Sequence, residues 1–548
     1  MASSSESSPK RGPNHPRRAI LGLIVGGSLI ALLQWLAPYT DHQFANMGCF
    51  AIGLMTSLVV LYQLHRWARS NGYGNRVLVV ASLVLLTAIF GFRFDGFSGE
   101  LVPQFKFRFA EPEHELRQLS GEAVNPAPVS TSQESETLAV VDEPSSSGFL
   151  GEQRTGVIAE RDFDIPTNAN DLEVVWDQGI GSGWSSFAVA SGRAVTLEQR
   201  DDMDCLTCYD LDSGDLLWMQ SHQAMHGHPM GGTGPRSTPT IHEGKVYAQD
   251  AEGLVWCVDL ISGKSVWSVD LLELAGWTQV DSEAAITWGR SGSPLIVDGL
   301  CVVPFGGPEA NMTTGRSLIA LDAQTGDVRW TAGEDQISYA SPALFTLAGK
   351  RQIVIVNEMT ITGHAIEDGK VLWDFVWPGQ SSGGANCAMA MQANDDSFVI
   401  GKGYGGGSAL VKVTVDDEGN FSATENWASS RFLKTKFTHA CIDGDIAYAI
   451  SNGSLEAIQL SSSEQRWKQP RPSRLGQGQI LLVEDVIVAQ AEAGELVFVK
   501  ADPNEYLEIA RFPALSDKTW NVPTIAGRYL LVRNDRQAIC YRLPSREE

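Results

Sequence analysis

The sequence has few cysteines and few basic residues for a chain of its length. Eight cysteines among 548 residues form no dense disulfide framework. Lysine and arginine total 41 against 65 aspartate and glutamate residues, which gives a formal net charge of -24. Nucleic-acid binding needs a basic surface to neutralise phosphates, so this balance argues against a nucleic acid as partner. No Ser/His/Asp order stands out either, so the sequence names no catalytic nucleophile.

The cysteine and histidine motifs are incomplete as metal or redox sites. Cys205 and Cys208 form a CxxC pair, but no second pair or clustered histidine completes a site. His222, His226 and His228 lack acidic or cysteine partners at ligand spacing, and we interpret them as solvated loop residues. These patterns predict no metal site.

Two further loops invite a ligand-binding interpretation and lack its key residues. Asp201, Asp202 and Asp204 lack the glycine and distal glutamate of a calcium loop, so we expect a solvated acidic turn. The glycine-rich loop 231–234 lacks the Lys-Ser or Lys-Thr ending of a phosphate cradle. We assign this loop to backbone geometry near a channel.

The sequence does contain a strict internal repeat built on tryptophan. A small residue stands ten positions ahead of a Trp in five segments, which are Cys208–Trp218, Cys257–Trp267, Ala320–Trp330, Gly363–Trp373 and Ala457–Trp467. Four of them carry glycine at the seventh position, at Gly214, Gly263, Gly326 and Gly369. Glycine permits a tight turn between two strands, and the Trp needs a slot that we expect a small residue to leave open on the neighbouring unit.

Counting these units predicts the architecture. Outer strands end at Trp176, Trp218, Trp267, Trp330, Trp373, Trp427 and Trp467, and a degenerate one lies at 507–512. A second signal marks innermost strands at Ser185–Val189, Ser237–Ile241, Ser291–Val297 and Ser341–Phe345, with weaker copies near Cys387, Thr438, Gln479 and Val522. Leu172–Trp176 lacks preceding strands and Cys540–Leu543 lacks a following one, so the chain ends should complete one blade. We predict an all-β, eight-bladed propeller over 149–548.

An apolar N-terminal region precedes the propeller. A cytoplasmic basic tail is expected at 1–18, followed by a transmembrane region at 19–95 with three spans at about 19–36, 44–64 and 77–92. The first segment also suits a signal peptide, although no clear cleavage site follows it. Arg66, Arg69 and Arg76 separate the second and third segments, which predicts a cytoplasmic N-terminus and a propeller outside the cytoplasm. Residues 96–148 are predicted to be a juxtamembrane segment and a disordered tether.

The repeat unit AxDxxTGxxxW of Ala320–Trp330 resembles the tryptophan-docking repeat of PQQ-like, quinoprotein-type eight-bladed propellers. The segments Phe149–Gly156, Gly183–Phe187 and Gly231–Pro239 are similar to membrane-anchored PQQ-like proteins of planctomycete-type bacteria, a group with no assigned activity. Quinoprotein alcohol dehydrogenases of this kind bind PQQ with calcium, commonly against a vicinal disulfide. This sequence has no Cys-Cys pair and no CxxCH haem motif. A second branch, the propeller lipoprotein of the outer-membrane assembly machinery, is a binding scaffold.

In this architecture the residues that enter the innermost strands face the mouth of the central channel. They are Trp184, Arg236, Arg290, Tyr339, Asn386, Lys436, Gln477 and Trp520. The cations among them would attract an anion and the aromatic residues would stack on a planar one, and PQQ is a planar tricarboxylate. We therefore carry two hypotheses. The first is a non-catalytic protein-interaction or ligand-binding module with an envelope protein partner, and the alternative is a PQQ-dependent oxidoreductase.

Overall fold

The computed structural model describes residues 15–37, 41–110, 116, 145–308, 316–380 and 383–546. The chain forms two compact units, Met1–Glu111 and Pro112–Glu548. Most of the predicted basic tail and most of the predicted tether lie outside the described residues.

The first unit contains three apolar helices and a β-hairpin. The helices are α1 His15–Leu36, α2 His42–Ser70 and α3 Arg76–Gly91, and the hairpin strands are β1 Phe92–Phe97 and β2 Pro103–Phe107. By length and composition, α1 and α2 can each cross a membrane, whereas α3 has 16 residues. Two of the three predicted spans therefore meet the length of a membrane-crossing helix, and the third is a shorter apolar helix because the chain turns into a strand at Phe92.

Small residues let α1 and α2 approach closely. A Cβ added at Gly48 would lie 2.8 Å from Leu33 Cδ1, and one added at Gly26 would overlap the side chain of Thr56. The Gln34 amide donates to Asn46 Oδ1 at 2.9 Å across the same helix pair. Close backbone approach and interhelical hydrogen bonds are the usual means of packing helices in lipid.

The second unit is the predicted eight-bladed propeller. The innermost strands neighbour one another around a channel, and each blade is an antiparallel sheet. From the innermost strand outward, blade 1 is Ala188–Ala190, Arg193–Arg200, Met203–Asp210, Leu216–Gln223; blade 2 is Thr240–His242, Lys245–Gln249, Leu254–Asp259, Ser265–Asp270; blade 3 is Leu295–Val297, Leu300–Pro304, Leu318–Asp322, Val328–Ala332; and blade 4 is Ala343–Leu347, Lys350–Val356, Thr360–His364, Val371–Val376.

The remaining blades repeat this order. Blade 5 is Met391–Gln392, Ser397–Gly401, Ser408–Val415, Phe421–Ser429; blade 6 is Cys441–Asp443, Ile446–Ser451, Ser454–Gln459, Glu464–Lys468; blade 7 is Gln479–Val483, Val486–Gln490, Glu495–Lys500, Leu507–Pro513; and blade 8 is Thr524–Ala526, Tyr529–Arg533, Gln537–Arg542, Glu173–Gly179. Blade 7 also receives β3, Val157–Ile158, parallel to its innermost strand. Short 3-10 helices lie at Ala169–Asp171 and Arg471–Ser473.

The ring closes as the sequence predicts. In blade 8, the outer strand β4, Glu173–Gly179, comes from the start of the unit and pairs with Gln537–Arg542 from its end. Cys540 lies opposite Trp176 in this pair, which is the same register that Ala320 and Trp330 adopt in blade 3. The closing sheet leaves no free edge at the seam between the two ends of the domain.

Six of the repeat tryptophans join their blade to the next one. The indole N–H of Trp218 donates to Leu260 O at 2.9 Å, that of Trp267 to Ala323 O at 3.1 Å, and that of Trp330 to Ile366 O at 3.0 Å. Trp176, Trp427 and Trp467 make the same kind of bond to Leu211, Leu460 and Asp502. Each acceptor lies in the following blade, so each of these six indoles satisfies its donor at a blade interface.

The slot for each tryptophan is made differently from the sequence prediction. The small residue, such as Ala320, lies across the sheet from the Trp of its own blade, so it makes room there and not on the neighbouring unit. The turn glycine receives the Trp of the preceding blade, because a Cβ at Gly326 would lie 2.8 Å from Trp267 Cδ2. The two small positions therefore serve two different interfaces.

Trp373 departs from this pattern. Its indole N–H donates to Gln352 Oε1 at 2.5 Å within blade 4, and not to a carbonyl of blade 5. The third and fourth strands of blade 5 are long, at Ser408–Val415 and Phe421–Ser429, and their turn carries no TG pair. The docking carbonyl is supplied by the short turn of the repeat, so the longer hairpin of blade 5 does not offer it.

Candidate functional site

The topology places the predicted ligand-reading residues at one end of the channel. Strands alternate in direction, so the connections between blades and the second turn of each blade lie on the same face, which we call the insertion face. Its longest connections are 224–239, with a short hairpin of Gly227–His228 and Gly232–Thr233, and 271–294, with helices α4 Leu271–Ala275 and α5 Gln279–Ala285.

Hydroxyl groups join the innermost strands just inside this mouth. The Ser186 N–H donates to Thr238 Oγ1 at 3.0 Å, the Thr238 N–H to Ser293 Oγ at 3.0 Å, and the Ser293 N–H to Ser341 Oγ at 2.9 Å. The first four blades are thus connected by one chain of side-chain bonds. These bonds replace ladder pairing there, which explains why the regular strands begin later than the serine signal predicts.

One side of the mouth is filled by contacting aromatic rings. Trp184 and Trp520 have ring centroids 4.7 Å apart, and Phe437 lies 5.2 Å from Trp520. Lys518 Nζ lies 4.4 Å from the Trp520 centroid and 5.4 Å from that of Trp184. The Trp520 indole donates to Glu492 Oε1 at 2.9 Å. The sequence analysis includes both tryptophans but misses Lys518, which lies two residues before Trp520.

The other side holds a second aromatic cluster. Trp288 stacks on Tyr339 at 5.1 Å and lies 6.2 Å from Tyr404. Lys436 is buried, with Nζ 5.9 Å from the Tyr404 centroid. Burial raises the pKa of the Tyr339 phenol. Its oxygen accepts a hydrogen bond from the backbone N–H of Trp288 at 3.2 Å. Trp288 and Tyr404 lie in connections between strands. The sequence analysis considers only the residues directly before the innermost strands, so it misses both.

The glycine-rich loop forms a backbone cradle around Arg236. The guanidinium donates to Gly231 O at 2.7 Å, Gly232 O at 3.2 Å and Gly234 O at 2.8 Å. A Cβ at Gly232 would lie 2.6 Å from Trp184 Cζ2, so glycine is needed where the loop covers the ring. Burial lowers the pKa of Arg236 to about 10. The glycines therefore let the loop backbone lie close to Trp184, and the loop carbonyls bind the guanidinium of Arg236.

Three other predicted mouth residues are buried in the wall. Arg290 donates from Nη1 to Phe305 O at 2.7 Å, and burial lowers its pKa to about 10. Asn386 donates from Nδ2 to the carbonyls of Asn357, Glu358 and Trp377. The Gln477 side chain is buried, and its backbone N–H donates to Glu492 Oε2 at 3.0 Å. The structure thus brings together the tryptophans, Tyr339, Arg236 and Lys436 at the mouth, and uses Arg290 and Asn386 to bind backbone carbonyls.

The opposite end of the channel is closed by the segment that precedes the blades, residues 146–158, which we call the plug. Ser146 exchanges backbone hydrogen bonds with Val189 of blade 1, and the Ile241 N–H of blade 2 donates to Ser147 O at 2.7 Å. Farther along, the Leu482 N–H of blade 7 donates to Gly156 O at 2.8 Å. The segment therefore extends across this end of the channel from blades 1 and 2 to blade 7.

Arg154 holds the plug in place. Its guanidinium donates to Ser293 O at 2.8 Å, to Pro342 O at 3.0 Å, to Thr240 Oγ1 at 3.2 Å and also to Pro294 O. Burial lowers its pKa to about 10. The sequence analysis uses this stretch only as part of a family resemblance, and nothing local in it predicts a buried cation.

The acidic and histidine residues of blades 1 and 2 are less solvated than expected. Asp204 is fully buried, so the prediction that it belongs to a solvated acidic turn is wrong. Its burial and the nearby Asp250 carboxylate raise its pKa to about 8. His226 is also buried, and His222 Nε2 lies 2.8 Å from Asp250 Oδ2. These side chains pack at the interface of the two blades, where sequence spacing alone does not place them together.

Neither the cysteines nor the acidic residues that the structure describes assemble a metal centre. All eight cysteines are free thiols, and burial raises the pKa of Cys205 and of Cys208 to about 12. Among the described residues, no three His, Cys, Asp or Glu side chains come together as a metal-binding group.

The described mouth residues do not fit a calcium-bound quinone. Such a group needs several oxygen ligands for the ion and an open aromatic face. The Glu492 carboxylate already accepts from the Trp520 indole and the Gln477 N–H. Trp184 and Trp520 are at contact distance from each other, so no planar group lies between them.

The chain resembles known proteins in sequence and in fold. A family profile described as outer membrane protein assembly factor BamB matches residues 165–309 and 275–511. The outer membrane protein assembly factors BamB of Yersinia pestis and Shewanella oneidensis are 25% and 27% identical to it, over 47% and 45% of this chain and 64% and 60% of their own length. The match with this chain thus covers less than two thirds of the length of these relatives.

Among the similar solved structures is a quinoprotein enzyme that shares the fold at low identity. The quinohemoprotein alcohol dehydrogenase from Comamonas testosteroni is 13% identical, with a TM-score of 0.51 over 74% of this chain and 81% of that one. At this identity the likeness concerns the propeller architecture and carries no chemistry.

Proposed function

Since this chain belongs to the family described as outer membrane protein assembly factor BamB, we propose that its propeller is a membrane-attached, non-catalytic protein-interaction module. The observation that supports this proposal is that protein groups occupy both ends of the channel. The plug crosses one end and Arg154 binds four groups of its wall. Contacting rings, among them Trp184 and Trp520, fill part of the other end. Recognition therefore uses the outer surface of the insertion face.

The two longest connections supply an apolar and acidic surface for a partner. Met225, Leu274 and Val280 are exposed large hydrophobic residues on these connections, and Val280 is 74% exposed. Residues 270–283 contain four acidic side chains and no basic one. Exposed apolar residues with charged neighbours are typical of protein-binding sites. The complementary partner would be an envelope protein with an apolar groove and a basic rim.

Site-specific photocrosslinking in cells tests this proposal. Benzoylphenylalanine replaces Val280 on the insertion face, or Val415, which is exposed at the opposite end of blade 5. We expect a discrete adduct with an envelope protein from position 280 and none from position 415. Adducts from neither position, or equal adducts from both, would contradict the proposal.

A ligand-dependent stability measurement tests the oxidoreductase alternative. The full chain in detergent is unfolded by heat with and without PQQ and calcium, and our proposal expects equal unfolding temperatures. A ligand held at a hundredfold above its dissociation constant adds about 2.7 kcal/mol, which is readily measured. A shift of that size that disappears in Arg236→Ala would favour the alternative, because Arg236 is the cation held at the mouth by the glycine loop.

We also propose that α3 crosses the membrane, so that the N-terminus is cytoplasmic and the propeller lies outside the cytoplasm. Arg66, Arg69 and Arg76 lie at or between the facing ends of α2 and α3, and the short connection between α1 and α2 carries Asp41. Basic residues remain on the cytoplasmic side of spans. Protease added to intact spheroplasts should digest the propeller, and full protection would refute this orientation.

A further inference from the structure

The hairpin after α3 divides its residues into an aromatic face and a polar face. Phe92 pairs with Phe107, Phe94 with Phe105, and Arg93 with Lys106. Successive side chains of a strand point to opposite faces, so these four phenylalanines share one face. Phe90 and Phe109 extend it, with ring centroids 5.5 Å apart, and Phe109 lies 5.6 Å from Phe107. We call this surface the phenylalanine face; it comprises Phe90, Phe92, Phe94, Phe105, Phe107 and Phe109.

The exposure of this hairpin is the reverse of that in a water-soluble sheet. The four strand phenylalanines on this face and Phe109 are between 47% and 62% exposed. On the other face, Lys106 Nζ and Asp95 Oδ2 form an ion pair at 3.0 Å, with side chains only 27% and 16% exposed. Removing the apolar surface of a phenylalanine from water is favourable, so a row of phenylalanines that faces water is unfavourable.

The hairpin is fixed to the membrane helices. Its second strand ends beside α3, where the Arg108 N–H donates to Gly91 O at 2.8 Å. Its turn is held at the start of α2, where Gln43 Nε2 donates to Gly99 O at 3.0 Å and Asn46 Nδ2 to Glu100 O at 2.9 Å. The hairpin therefore lies along the ends of α2 and α3 that face the same side of a membrane.

The length of α3 indicates where the aromatic surface lies. The helix has 16 residues, which is about 24 Å at 1.5 Å per residue. The hydrocarbon layer of a bilayer is about 30 Å thick, so α3 ends short of its boundary or draws that boundary inward. Phe90 and Phe92 continue the apolar surface of α3 without interruption into the hairpin.

We propose that the phenylalanine face inserts into a lipid bilayer at the boundary between headgroups and acyl chains. The hairpin would then complete the third apolar segment as an interfacial anchor. It lies no deeper, because a two-stranded sheet has open edges whose backbone groups need water or headgroups. Arg93 and Arg108 are exposed on the polar face, on the water side of the sheet, where their charge suits lipid phosphates. This inference concerns the first unit and does not rest on the function of the propeller.

Spin-label accessibility in the full chain tests the proposal. Cys49 and Cys387 are the two partly exposed thiols and are changed to serine; the other six cysteines are buried. Labels are placed at Phe105→Cys on the aromatic face or at Arg93→Cys on the opposite face. The chain is reconstituted in phosphatidylethanolamine–phosphatidylglycerol vesicles. We expect frequent collisions with oxygen and few with a nickel chelate at position 105, and the reverse preference at position 93.

Each alternative gives a different result. Access of the nickel chelate to position 105 would place the face in water and overturn the proposal. Exclusion of both oxygen and chelate would show that protein, whether a second copy or another chain, covers the face, and would overturn it equally. A second pair, Phe107→Cys and Arg108→Cys, repeats the comparison if the first labels disturb folding, which unfolding scans of the labelled chains reveal.

Discussion

Replacing turn glycines by alanine should separate two destabilising effects of a Cβ at the turn that receives a tryptophan. One is strain in the left-handed backbone, and the other is steric overlap with the indole ring. Gly326 has φ +79° and Gly349 has φ +78°, so alanine meets the same backbone strain at both. They differ in surroundings, because a Cβ at Gly326 would lie 2.8 Å from Trp267 Cδ2, whereas one at Gly349 meets nothing within 4 Å. Gly349→Ala is therefore a matched control for Gly326→Ala.

The expected difference follows from these geometries. Left-handed backbone costs a residue with a Cβ roughly 1–2 kcal/mol, which both variants lose. Pushing a methyl group against a packed ring costs roughly 1–3 kcal/mol more, and only Gly326→Ala incurs it. We expect the free energy of unfolding to fall by about 1–2 kcal/mol in Gly349→Ala and by about 2–5 kcal/mol in Gly326→Ala.

Urea unfolding of the full chain in detergent, followed by tryptophan fluorescence, measures both variants. The same pair is then made in a Trp267→Leu background, where the smaller side chain leaves room for the methyl group. Gly326→Ala should there cost no more than Gly349→Ala, which gives a coupling energy between the two sites. Equal losses in the original background would refute our account of how a blade receives the preceding tryptophan.

Three further variants probe other parts of the propeller. Arg154→Met should lower the unfolding free energy by roughly 2–4 kcal/mol, because it leaves carbonyls of the channel wall without donors; Arg154→Lys should lose less. The contribution of Asp204 to stability should fall as pH rises from about 4 towards 8, because burial raises its pKa to about 8 and the folded state binds one more proton than the unfolded state in this range. In urea titrations, the unfolding free energy of the unchanged chain relative to Asp204→Asn should therefore fall over this range. Asp202→Asn, at an exposed neighbour, should show no such difference. Trp330→Phe should cost about 1 kcal/mol more than its lost area through the bond to Ile366, as measured by thermal unfolding.

The architecture could be predicted from the sequence because the contacts within each repeat join residues at a fixed, short spacing. The ten-residue spacing of Ala320 and Trp330 reflects a direct cross-strand pair, and the same register joins Cys540 to Trp176 at the seam. Local turn chemistry and a fixed strand length produce this spacing in each copy. The count of eight blades and the closure by both chain ends therefore follow from short-range patterns.

The site was less accessible because its contacts are long-range. Arg154 meets Ser293 and Pro342, which lie far along the chain, and no local pattern marks it as buried. Asp204 looks like part of a surface turn, yet the neighbouring blade buries it. Trp288 and Tyr404 enter the mouth from connections whose course depends on packing between blades. Sequence spacing describes a blade well and describes the surfaces between blades poorly.

The two faces of the propeller differ in what they can recognise. On the face opposite the insertions, the first turn of four blades repeats one form with positive φ at both central residues, at Ser191–Gly192, Glu243–Gly244, Asp298–Gly299 and Ala348–Gly349. A surface repeated around the ring offers a partner several similar positions. The connections 224–239 and 271–294 occur once each and carry Met225, Leu274 and Val280 outward. A partner that binds in one orientation must use features that occur once, which is why our proposal assigns partner recognition to the insertion face.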